Sequence, residues 1–294
     1  MSPEAEAIYD LIIALHRSSD GDWKGLAQKA GVAEADLDFF LQYAVQFLGN
    51  SGNYKSFGDS KFIPRCKQSD VAALASTSPE AERHYKATNG AIFSADKPGL
   101  LHLGYPDEGH MTTYYPESPD ITKDEISAVS KWMESKGLLP ENTRLRKTKN
   151  GVYELLIASG QTSVPGEGGD VGKDTEFQVD DGPLKGKTVK LVYGDYSAEM
   201  AEIAKNISKA AENADNETQA NMHQAYAKSF DNGSLLAFKD SQRYWIRDKG
   251  PMVECNIGFI ETYRDPAGTR GEWEGFAAGL FPDGDTCLGI ERHS

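Results

Sequence analysis

Glu261 and Tyr263 place a carboxylate and a phenol two residues apart, at the end of the apolar run "MVECNIGFIETY". Side chains alternate across a strand, so Val253, Cys255, Ile257 and Phe259 share a face, and the next two members of that series are Glu261 and Tyr263. The face that points to a core therefore runs into a charge and a hydroxyl. A carboxylate in such a place can hold a cationic group, such as a peptide's terminal ammonium, while a phenol can donate to a backbone carbonyl. The alternative is that the strand leaves the core there. Arg264, Asp265, Arg270, Glu272 and Glu274 of "RDPAGTRGEWEGF" would then pair with one another and solvate its end. Pattern alone leaves both readings open. Gly258, on the opposite face, marks a bulge or the close approach of another backbone, and Pro266 with Gly268 supplies a turn.

Other reactive residue types form no catalytic set. The six histidines, His16, His84, His102, His110, His223 and His293, include no pair three or four residues apart, so no helical zinc clamp is encoded. His102 and His110 flank Asp107 and Glu108 and read as two surface histidines on a turn, a loop metal site being the alternative. Cys66, between Arg65 and Lys67, reads as an exposed thiol without a base, and Cys255 as a small packed apolar residue. Three cysteines, with Cys287 the third, are too few and too far apart for a disulfide framework. "TSVPGEGGDVGKDTEF" is rich in Gly, but Glu167 stands where a phosphate loop needs its first Gly and Asp174 where it needs Ser or Thr. Its carboxylates would repel a phosphate, and a mobile loop is expected.

The elements that must position the strand end are legible in part. Ser2 and Pro3 suit a helix start ahead of Ile8, Leu11, Ile12 and Leu15. A second stripe, Leu37, Phe40, Leu41, Ala44 and Leu48, stops at Gly49. The Gly- and Asn-rich segment after it is expected to be an ordered loop anchored by Tyr54, Phe57 and Phe62. Thr122 and Glu125 form a capping box before Ile126, Val129, Trp132 and Met133, with Lys136-Gly137 as the stop. Asn150-Gly151 joins two strand-like runs as a hairpin turn. The pattern predicts helices over 2–137, strands over 143–193 joined by 251–263 in one sheet, and one long helix over 196–228. The fold class is α+β: helix-rich, with a small mixed sheet or partial β-barrel core.

The 45 Asp and Glu outnumber the 31 Lys and Arg among which they are mixed, giving a formal charge of −14. No face would then attract a phosphate backbone, and nucleic acid is excluded as a partner. Apolar runs such as "LIIAL" are too short for a membrane span, and "MSPEAEAIYD" lacks the basic and apolar parts of a signal peptide. A cytoplasmic protein is expected.

The stretches "GNYKSFGDSKFIP", "NTRLRKTKNGVYELLIAS", "YGDYSAE" and "RYWIRDKGPMVECNIGFIETYRDPAGTRGEWEGF" resemble the N-terminal half of the dipeptidyl peptidase III family, zinc exopeptidases that release dipeptides from oligopeptide N-termini. The resemblance runs from about Ser2 to Phe276. It implies part of a lower lobe, in which a small β-barrel wrapped by helices lines one side of a peptide cleft. Residue by residue, it implies that Glu261 holds the substrate's ammonium and that Tyr263 lines the cleft near the scissile bond. The partners implied are oligopeptides, and a monomer is expected. The family's His-Glu-x-x-Gly-His helix and Glu-Glu-x-Arg-Ala-Glu motif do not occur, so zinc belongs to the full-length family and none is expected on this chain. The resemblance thus implies a 1–276 lower-lobe-like domain, a divergent 277–294 tail, and a truncated portion inactive alone. A noncatalytic peptide-binding or regulatory module is the alternative.

Overall fold

In the computed structural model, residues 2–88 and 90–279 are described. They divide into two compact units, one ending at Thr113 and the other starting at Tyr114, a boundary that no composition shift announces.

The first unit is helical, with α1 Ala5–Ser18, α2 Trp23–Ala30, α3 Glu34–Asn50, α4 Gln68–Ala75 and α5 Pro79–Ala87. Ile8, Leu11, Ile12 and Leu15 are all buried, as their spacing predicts, and pack with Leu37, Phe40, Phe47, Val71 and Leu74. Ser2 does not cap α1; its hydroxyl donates to Asn53 Oδ1 at 2.7 Å. Leu48 is exposed rather than core, and α3 runs one residue past Gly49 to a left-handed Ser51. In the next loop, Tyr54 is buried and donates to Leu100 O at 2.6 Å, and Phe62 packs on the core. Phe57, 89% exposed, is no anchor. Cys66 is also a correction: it is buried in this core, and burial pushes its thiol up to about 11.

The second unit opens with α6 Lys123–Ser135, whose capping box forms as read: Glu125 N–H donates to Thr122 Oγ1 at 3.2 Å, and Thr122 N–H to Glu125 Oε2 at 2.9 Å. Strands β1 Thr143–Lys147 and β2 Tyr153–Ala158 form the expected antiparallel hairpin about Asn150-Gly151, with Gly151 at φ 76°. Then come β3 Glu176–Gln178 and β4 Thr188–Asp195, and the mixed sheet has the order β1-β2-β4-β3 with β2 and β4 parallel. The Gly-rich stretch before β3 is docked, against the expectation of a mobile loop. Glu167 pairs with Lys228, and Asp170 accepts from Leu235 N–H and the Ser234 hydroxyl at the start of a later helix.

The single long helix expected over 196–228 is two, α7 Ser197–Glu212 and α8 Glu217–Asn232. Asn216 begins the second by accepting Gln219 N–H at 2.9 Å, since a short amide side chain satisfies a helix's first donors better than it extends a preceding turn. Helix α9 Leu235–Trp245 comes next. The last strands, β5 Val253–Glu261 and β6 Glu272–Gly279, pair antiparallel in a ribbon of their own, so the expectation of one sheet or barrel joining 143–193 to 251–263 is not met among the described residues. β5 instead lays Cys255, Ile257 and Phe259 on a core built by Met200, Met222, Tyr226 and Phe230. Residues 277–279 continue β6; the rest of the expected tail, with Cys287 and His293, lies outside the described residues.

Candidate functional site

The ribbon positions the strand end. Its register runs Val253↔Gly279 to Phe259↔Trp273 and then slips, so that Glu261 stands opposite Glu272 and Ile260 is the extra residue. Such a bulge bends a strand and re-aims the residues beyond it. The irregularity sits two residues beyond Gly258, where the sequence suggests a bulge or a close backbone. The group that approaches Gly258 is a side chain: a Cβ there would lie 2.4 Å from Cε2 of the Phe238 ring. Val253 is 48% exposed, so the shared core face begins only at Cys255.

Glu261 is exposed and Tyr263 is 45% exposed. The residues after them are not a solvating fringe. Arg264 is 7% exposed, Asp265 3% and Arg270 0%. A buried carboxylate demands hydrogen-bond donors, and Asp265 gathers five. Oδ1 accepts from Tyr115 Oη at 2.6 Å and Ala267 N at 3.2 Å. Oδ2 accepts from Thr269 N at 3.0 Å, Thr269 Oγ1 at 3.1 Å and Arg270 N at 2.9 Å. The turn "DPAGTR" is thereby wrapped around one side chain, the local use to which Asp is suited. Burial pushes the Tyr115 hydroxyl well above the ordinary tyrosine range, so it stays a donor to Asp265.

Arg270 lies with its guanidinium 5.3 Å from the centre of the Tyr115 ring and its Nη1 3.3 Å from Thr269 Oγ1. Arg264 Nε stands 3.1 Å from Glu272 Oε2, and its guanidinium lies 5.8 Å from the centre of the Tyr263 ring. Two carboxylates opposite each other in a ladder repel, and Arg264 offsets that by occupying Glu272. Tyr114, buried beside Glu272, Asp265 and Arg264, is also held protonated, chiefly by burial.

The sequence thus brings Glu261 and Tyr263 to one exposed strand end and foots them on a buried network. Tyr115 is absent from the sequence reading, and neither pattern nor spacing links it to Asp265. The "DP" and "G" of the turn are the local signal that Asp265 caps its own backbone. His223, which the sequence shows only as a histidine without a helical partner, is buried on α8 with Nε2 3.5 Å from Cys255 Sγ. His102 and His110 lie with ring centres 6.4 Å apart. Among the described residues no three His, Cys, Asp or Glu side chains converge to hold a metal ion, so these residues do not fit zinc.

The family model for "Peptidase family M49" matches residues 84–281. The chain is 43% identical over 249 residues to dipeptidyl peptidase 3 of Dictyostelium discoideum, covering 84% of this chain and 34% of that protein. It is 37% identical over 288 residues to the human dipeptidyl peptidase 3, covering 94% of this chain and 38% of that protein. A solved structure of DPP III from Caldithrix abyssi aligns over 96% of this chain and 41% of its own, with a TM-score of 0.45 and 16% identity. The chain spans between a third and two fifths of the length of these curated relatives. The match over 84–281 takes in the β5–β6 ribbon and its buried turn, and with it the chain belongs to peptidase family M49.

Proposed function

We propose that this chain is the peptide-binding, lower-lobe portion of a cytosolic zinc dipeptidyl peptidase, acting on the N-termini of oligopeptides and inactive alone. Glu261 receives the substrate's terminal ammonium and Tyr263 donates to its backbone. The observation that carries this reading is the strand end itself: an exposed carboxylate and phenol adjoin a turn in which Asp265 is buried and satisfied by five donors and Arg264 stands against Glu272. A fixed anion at a set distance from the reacting bond is what an enzyme needs to count two residues from a free amine. Zinc and the general base would come from segments other than these residues, and no step is assigned to them.

Titration of a free-amine alanine pentapeptide and its N-acetylated twin tests the reading by NMR shifts or calorimetry. With one wall of a cleft, affinity is expected in the millimolar range, because an exposed ion pair contributes only about 0 to 1 kcal/mol. Acetylation and Glu261→Gln should each weaken it. Tight binding indifferent to both would remove the amine-anchor role.

A further inference from the structure

The exposed pair stands where the strand pairing ends. Glu261 comes directly after a bulge, where the ladder is locally disrupted, and Tyr263, 45% exposed, lies beyond the last ladder residue. Side chains so placed sample several rotamers unless their backbone and neighbours are fixed. The next turn fixes them. Thr262 O accepts Asp265 N–H at 3.2 Å, joining the strand end to the Asp265 side chain and its five donors. Through Tyr115 the turn is tied to a distant part of the unit, and through Arg264 it reaches both the Tyr263 ring and the carboxylate opposite Glu261.

We propose that Tyr115 and Arg264 are positioning residues for Glu261 and Tyr263. Tyr115 holds the Asp265 turn, and Arg264 sets the Tyr263 ring while keeping Glu272 from competing with Glu261 for a cation. The proposal rests on the peptide-binding reading for its consequence, but its geometric half stands without it. Removing one phenol oxygen at position 115 alters no formal charge at Arg264, Asp265 or Glu272.

The test uses the full chain with Tyr115→Phe, which keeps the ring and deletes the donor. Tyr153→Phe is the control, since it deletes a comparable bond, 2.7 Å to Glu125, elsewhere in the unit. Two quantities are read: the ring signals of Tyr263 in 13C NMR without peptide, and the affinity ratio between the free-amine and acetylated pentapeptides. The wild type should favour the free amine about threefold or more, as a modest exposed ion pair allows. Tyr115→Phe should shift or broaden the Tyr263 signals and bring the ratio close to one, Tyr153→Phe should do neither, and Arg264→Lys should fall between. Unchanged Tyr263 signals and ratio in Tyr115→Phe would overturn the proposal, as would equal effects from Tyr153→Phe. A wild-type ratio of one, with Tyr263 signals that still move only in Tyr115→Phe, would sink the amine-anchor function while upholding the positioning.

Discussion

Gly258 shows how one absent atom shapes the strand that carries the site. The Phe238 ring occupies the space a Cβ would need, so Gly258→Ala should cost about 1–3 kcal/mol by forcing that ring aside. Chemical denaturation measures it, and Phe238→Leu in the same chain should recover part of the loss. Cys66 and Cys255 are both buried with thiols pushed up to about 11, so they hold little thiolate at pH 8. In a Cys287→Ser background, an aromatic disulfide reagent should label them slowly in the native protein and rapidly in denaturant. Fast native labelling would contradict their burial. His223 is held neutral by burial, with its pKa below the ordinary histidine value. The unfolded chain binds the proton more readily, so this contribution to stability is present above about pH 6.5 and is lost as pH falls toward the folded value. Unfolding free energies at pH 7.5 and 5.5 should differ less in His223→Gln than in the wild type.

Local signals survived folding and long-range ones were invisible. The Thr122 capping box and the Asn150-Gly151 hairpin were legible because each is decided within a few residues. The helix break at Asn216 was also local, yet an Ala- and Lys-rich stretch on both sides hides it behind strong helix propensity. Asn216→Ala should cost about 1 kcal/mol in a thermal melt, and a negligible change would mean that the cap is dispensable. The pairing of β5 with β6 could not be read at all. Glycines at 271, 275 and 279 weaken the strand pattern of β6, and the choice between the ribbon and the larger sheet is made by packing on α8 and α9. The site was half legible: Glu261 and Tyr263 stand out from alternation, whereas burial of Arg264, Asp265 and Arg270 goes against the usual exposure of such residues, and the Tyr115 that donates to Asp265 lies far away in sequence.

At the scale of the whole molecule, two units with separate cores share one chain, and the residues described offer no metal cluster. The His-Glu-x-x-Gly-His and Glu-Glu-x-Arg-Ala-Glu motifs do not occur in the sequence, and on that ground purified protein is expected to hold no stoichiometric zinc by elemental analysis and to release no dipeptide from an arylamide substrate. Hydrolysis that a chelator abolishes would show that the ligands and base are encoded after all. The Tyr115–Asp265 bond has one more consequence, in time rather than in space. Its partners lie 150 residues apart, and contacts of such separation close only after the chain entropy between them has been spent on nearer ones. During synthesis Tyr115 waits while the hairpin and helices α7 to α9 are made and folded, and the turn that supports Glu261 can lock only when residues 265–270 have emerged. The strand end that carries Glu261 should be the last part of its unit to become protected from hydrogen exchange in refolding, and the first to lose that protection.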